Sequence, residues 1–217
     1  MEEEYPEREY DEKNQNRKES EGGFFSFVFD LAKIIILSLV IIIPIRTFLF
    51  QPFFVQGKSM EPNFQDGEYL IVNEFGYKKT KVAVGEKELF TVTPFKEFER
   101  GEVAVFRYPD NPEEYFIKRI IGLPGEKIEI KGGDVIVYNK QNPTGGILDE
   151  TRYLEDALGE TECSGSCVYD LKDDEYLVLG DNRGHSSDSR RWGALSKEYV
   201  IGKVFLRAWP FTDFKVF

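Results

Sequence analysis

Hydrophobic positions in this chain fall into two regimes. From Phe24 to Phe54 they form one long block, and from Glu68 onward they come in short bursts separated by turn residues. The block centres on Ile34–Ile45, which carries no charge and is nearly all Ile, Leu and Val. That centre is about 12 residues long, short of the roughly 20 that cross a bilayer. Phe24, Phe25, Phe27, Val28 and Phe29 extend it on one side, and Phe48, Leu49, Phe50, Phe53 and Phe54 on the other. Asp30, Lys33 and Arg46 interrupt it. Asp30 and Lys33 are spaced to pair on a helix. Lys33 and Arg46 lie towards the ends, where long side chains snorkel. Every face is apolar, which predicts a membrane helix over about 27–47 within an anchor segment 24–50, with Pro44 in its last turns. The alternatives are a buried core helix and a cleaved signal peptide. A cleaved peptide wants a basic start and small residues at its end, whereas here the start is acid-rich and the end reads Arg46-Thr47-Phe48-Leu49-Phe50. Lys and Arg counts mildly favour the N-terminus inside.

The later bursts read as strands: Tyr69–Val72, Glu102–Phe106, Phe116–Ile121, Lys127–Ile130, Val135–Tyr138, Tyr176–Leu179 and Val200–Leu206. They are short, rich in β-branched and aromatic residues, and bounded by Gly, Pro, Asp or Asn. Gly122-Leu123-Pro124-Gly125 reads as a tight connection, and Glu150–Leu158 as a short helix. The pattern predicts a mainly β chain: one N-terminal transmembrane helix, then an antiparallel β-rich domain over 51–217. Residues 75–100 and 139–170 are less patterned and read as excursions from the β core. Residues 1–23 are charged and polar and read as a disordered acidic tail.

Composition narrows the function. A hydrophobic share of 41% over 217 residues allows a real core. A formal net charge of −11 opposes nucleic-acid binding and polybasic lipid contact. With two cysteines and one histidine, the chain offers no second ligand pair for zinc. Cys163 and Cys167 either close a small loop outside the cytosol or remain free thiols.

Three stretches carry candidate chemistry. In Gly57-Lys58-Ser59-Met60-Glu61-Pro62, a serine sits between a glycine and a proline, in a turn that presents its hydroxyl. In Tyr115–Gly122, strand alternation puts Lys118 on one face with Phe116 and Ile120, and Arg119 on the other with Ile117 and Ile121. One charge must therefore sit among apolar neighbours. Lowering a lysine from about 10.4 to about 8 by desolvation takes roughly 3 kcal/mol and makes it a usable base. The third stretch, Leu179–Gly193, is dense in Asp, Arg and Ser and follows an apolar strand directly.

Together with Arg100–Phe106, these stretches form four ordered boxes: Gly57–Pro62, Arg100–Phe106, Phe116–Gly125 and Gly180–Gly193. The set resembles the bacterial type I signal peptidases over most of residues 30–206. The resemblance implies a membrane-anchored serine endopeptidase that removes signal peptides from exported preproteins through an acyl-enzyme. Ser59 would be the nucleophile and Lys118 the general base, with no metal or organic cofactor. Ser186 would orient the lysine, and Asp181, Asp188, Arg190 and Arg119 would support the site. Some members carry a serine where this chain has Gly57, so the oxyanion would be held by backbone N–H groups of Ser59 and Gly57. Phe53, Phe54, Val55, Gln56, Tyr115, Phe116 and Ile117 would bind the substrate as an added strand. The family's β extension would fall at about 139–170, and some members carry a disulfide there, as Cys163 and Cys167 would allow. The implied location is the plasma membrane: a single-pass protein with a cytoplasmic N-terminus and an extracytoplasmic catalytic domain. Its partners would be preproteins and the bilayer, with the translocation machinery as a candidate and no nucleic acid. Two rival readings remain: a self-cleaving repressor of the SOS-response type, and a membrane-anchored β module used for binding.

Overall fold

The computed structural model describes residues 8–84, 87–154, 161–163 and 167–217. The chain divides into two units, residues 1–47 and 48–217.

The first unit is built on one helix, α1 (Arg8–Phe48), with Pro44 and Arg46 near its end. Within it, Phe25–Arg46 is long and apolar enough to cross a membrane, and none of that stretch is buried. Asp30 and Lys33 pair at 3.4 Å, as their spacing requires. The helix also runs back to Arg8, through a stretch whose composition reads as disordered. Glu, Lys, Arg and Gln there are good helix formers. They extend an existing helix, so no new nucleus has to form.

The second unit is antiparallel β. Its main sheet has eight strands. Seven lie in the order β1 (Phe50–Phe54), β2 (Tyr69–Asn73), β13 (Val200–Trp209), β5 (Val103–Tyr108), β6 (Asn111–Gly122), β11 (Glu175–Leu179) and β12 (Leu195–Ser196). β14 (Lys215–Val216) pairs with β13. A second sheet runs β10 (Val168–Asp170), β7 (Lys127–Lys131), β8 (Asp134–Tyr138) and β9 (Gly146–Ile147). This sheet takes in β7 and β8, which precede the excursion at residues 139–170, as well as β9 and β10 within it. The excursion at 75–100 contains a hairpin, β3 (Thr80–Val84) with β4 (Lys87–Val92). Of the expected helix at Glu150–Leu158, residues 151–153 form a turn and 155–158 lie outside the described residues.

Three apolar clusters hold this unit. Val55, Met60, Phe64, Leu70, Val72, Val105 and Val204 pack beneath the Ser59 turn. Phe98, Phe106, Ile120, Tyr176 and Val178 pack around β5, β6 and β11. Ile121, Ile128, Val135, Leu177 and Leu179 join the second sheet to the main sheet. Cys163 and Cys167 are joined as a disulfide at the edge of the third cluster.

Candidate active site

The Ser59 turn is fixed from below and behind. Gly57 adopts φ 86°, a conformation that suits glycine. Met60 is fully buried and pins the turn to the core. Glu61 and Phe64 donate backbone bonds to the carbonyls of Lys58 and Met60. The Ser59 carbonyl accepts the Asn182 N–H at 3.0 Å, tying this turn to the Asp/Arg-rich loop.

Lys118 comes from β6 and is only 4% exposed. Its Nζ donates to Ser59 Oγ at 2.7 Å and to the Ile117 carbonyl at 2.8 Å. Burial pushes the amine down from 10.5 to about 8, against the opposing pull of the Asp188 and Asp181 carboxylates. A hydroxyl and a largely desolvated amine thus share a hydrogen bond, an arrangement that can pass a proton from oxygen to nitrogen.

Arg119 is buried too, so the strand hides both charges. Its guanidinium grips Asp181 through Nε–Oδ1 at 2.7 Å and Nη2–Oδ2 at 2.5 Å. It also reaches the Gly101 carbonyl at 2.6 Å and lies 4.2 Å over the Tyr153 ring. Asp188 is fully buried. Burial raises its carboxyl, but the paired Arg190 guanidinium and the Gly180 N–H outweigh this and hold it low. Arg190 meets both carboxylate oxygens at 2.9 Å and the Arg183 carbonyl at 2.6 Å.

Two sequence expectations change here. The Gly57 N–H is donated to Asp66 Oδ1 at 2.7 Å, so it is not a free oxyanion donor. The Ser59 N–H has no such bond among the described residues and remains available. Ser186 is buried beside Asp188; among the described residues its Oγ meets no partner in close hydrogen-bond geometry and makes no bond to Lys118. Its hydroxyl packs over Gly180. A Cβ on that glycine would lie 2.2 Å from Ser186 Oγ and 2.5 Å from the Ser59 carbonyl oxygen.

A groove of about 650 Å³ opens over the pair. It brings together all seven residues expected to bind substrate: Phe53, Phe54, Val55, Gln56, Tyr115, Phe116 and Ile117. Lys58, Glu114, His185 and Ser187 complete its rim. The free edge of β1 lies on one side. On the other, β11 pairs with β6 only from Arg119 onward, so Tyr115–Lys118 keep one edge open. Phe53 and Tyr115 meet edge to face at 5.3 Å at one end of the groove.

Several supporting residues escape the sequence reading. Asn63 Nδ2 donates to the Tyr153 carbonyl at 2.7 Å and to Asp181 Oδ2 at 3.0 Å. Arg183 binds Glu150, Thr161 and the Gly180 carbonyl. Asn63 directly follows the Ser59 box and Arg183 lies inside the last one, which is the only local signal either residue offers.

A hydroxyl–amine pair beneath a groove with two open strand edges has the chemistry that a serine-type peptidase requires. The comparisons identify the family: a model described as signal peptidase, peptidase S26, matches residues 28–209. This chain belongs to that family and is a peptidase of it. Probable signal peptidase I-2 from Synechocystis is 33% identical, covering 83% of this chain and 73% of its own. Signal peptidase IB from Staphylococcus aureus is 32% identical, covering 83% and 89%. A solved signal peptidase I from Enterococcus faecalis is 28% identical over 51% of this chain and 98% of its own, with a TM-score of 0.37.

Proposed function

We propose that this chain cuts signal peptides from exported preproteins, with Ser59 as nucleophile and Lys118 as general base. The observation that carries the reading is the 2.7 Å bond between Ser59 Oγ and a buried amine near pKa 8. The preprotein lies in the groove as an added strand between the open edges of β1 and β6. Val55, Leu70, Val105 and Ile117 line apolar pockets that suit small side chains.

Neutral Lys118 takes the Ser59 proton as Oγ attacks the scissile carbonyl. The oxyanion forms beside the Ser59 N–H. As it collapses, the lysine ammonium passes its proton to the leaving amine and the mature protein departs. Water then gives a proton to the same amine and attacks the acyl-serine; as the acyl C–O bond breaks, the ammonium returns that proton to Oγ, which releases the signal peptide and restores Ser59 and the neutral amine. Asp181 with Arg119, and Asp188 with Arg190, hold the strand and loop that fix the amine. Ser186, buried beside Asp188 without a bond to Lys118, acts on the amine through that carboxylate. Phe25–Arg46 anchors the protein in the plasma membrane, with its N-terminus in the cytoplasm and the groove on the outer side.

The test uses purified full chain in detergent with a preprotein whose signal peptide ends small-x-small. Sequencing the product N-terminus locates the cut. Cleavage immediately after that motif supports the reading. An intact preprotein, with self-cleavage of the enzyme instead, overturns it in favour of a repressor-type peptidase.

A further inference from the structure

The groove is electrically lopsided, and the polar end has no part in the reaction described above. Glu114 lines the groove next to Tyr115 of the open β6 edge, while Lys58 precedes Ser59 and His185 lies in the loop whose Asn182 N–H binds the Ser59 carbonyl. Both basic residues are exposed. Lys58 makes no ion pair among the described residues, although Glu61 and Asp66 lie in the same loop. The Asp66 carboxylate is already engaged by the Gly57 N–H. His185 Nδ1 faces Asn182 Oδ1 at 3.2 Å, which leaves Nε2 turned outward. In a chain of net charge −11, an exposed lysine without an ion pair among the described residues and an exposed histidine, both beside the nucleophile, form a local exception.

Both open edges, Phe53–Val55 and Tyr115–Ile117, run along the chain towards Ser59 and Lys118. A strand added to them reaches the Ser59–Lys118 pair, and its continuation meets the remaining polar lining of the groove, Lys58, His185 and Ser187. This step rests on the peptidase reading, in which the signal-peptide half occupies the strand edges. The half leaving past the basic rim is then the start of the mature protein. We infer that Lys58 and His185 form a subsite for an acidic side chain in the first two residues after the cut. The chain therefore prefers preproteins whose mature part begins with Asp or Glu. Long-range attraction of an acidic segment to this rim acts through solvent, so it fades with salt.

The test uses three quenched fluorescent peptides, identical up to a small-x-small cleavage motif and carrying Glu, Gln or Lys at the second position after it. Values of kcat/KM are compared for wild type, Lys58→Glu and His185→Gln at low and high salt. Wild type is expected to favour Glu over Lys by about twofold to fivefold, within the range of exposed charge pairs, with Gln between them. Lys58→Glu should reverse the order, His185→Gln should narrow the spread, and high salt should flatten it. Equal rates on all three peptides in wild type, or an order unchanged in Lys58→Glu, overturn the subsite while leaving the peptidase intact. Cleavage of none of the three by wild type overturns the peptidase reading, and the subsite with it.

Discussion

Replacing Lys118 by Met should abolish cleavage and make the protein more stable at neutral pH. The amine is 4% exposed and titrates near 8. An unfolded lysine titrates near 10.4. The difference disfavours the protonated native amine by about 3 kcal/mol at pH 7. Between the two values the unfolded chain binds more protons, so wild-type stability rises with pH across that window. Below about 8 the whole penalty is present. Methionine removes it but loses the bonds to Ser59 Oγ and the Ile117 carbonyl, worth about 1 kcal/mol each. The net gain at pH 7 is about 1–2 kcal/mol, or a melting point higher by about 2–8 °C for a domain of this size. At pH 10.5 the gain should vanish or change sign. Thermal melts of wild type and Lys118→Met in detergent, at both pH values, read this directly. A variant that melts below wild type by the same margin at both would show that Lys118 is not held as a desolvated amine.

Cleavage by wild type should climb as pH rises through about 8 and level off above it, because the base must be neutral; a flat kcat/KM profile from pH 6 to 9 would contradict this. Gly180→Ala should cost about 1–3 kcal/mol or more and cripple cleavage, since its Cβ would collide with Ser186 Oγ and the Ser59 carbonyl; a fully active variant with an unchanged urea midpoint would refute that. Asp181→Ala leaves the Arg119 charge buried and unpaired, so urea unfolding should show a loss of about 3–5 kcal/mol. Ser186→Ala removes a buried hydroxyl with no close partner among the described residues, so its melting point should hold or rise while cleavage falls at least about tenfold.

These residues also show what local pattern reveals. The apolar helix is legible because every face of Ile34–Ile45 is apolar, a property that needs no partner to interpret. The Ser59–Lys118 pairing follows from box order, and strand alternation foretells a charge buried in β6. The burial of both Lys118 and Arg119 does not follow, because it depends on Asp181, 62 residues away in the loop after β11. Asn63 is hidden for the same reason: its partners Tyr153 and Asp181 lie 90 and 118 residues away. β7 and β8 are visible as strands, yet the pattern does not say which sheet receives them. The β3–β4 hairpin is masked because Lys81, Lys87 and Glu88 break its alternation. The Gly57 N–H reads as free until the chain turns Asp66 back onto it.

The central claim is that Ser59 and Lys118 together perform the cut. Its most direct test is cleavage of one signal-peptide-bearing preprotein by wild type, Ser59→Ala and Lys118→Ala side by side in detergent, with each variant first shown to be folded. Wild type should cut after the small-x-small motif, and both variants should leave the preprotein intact. If folded Lys118→Ala cuts at a rate near wild type, the amine at 2.7 Å is not the base and the account fails.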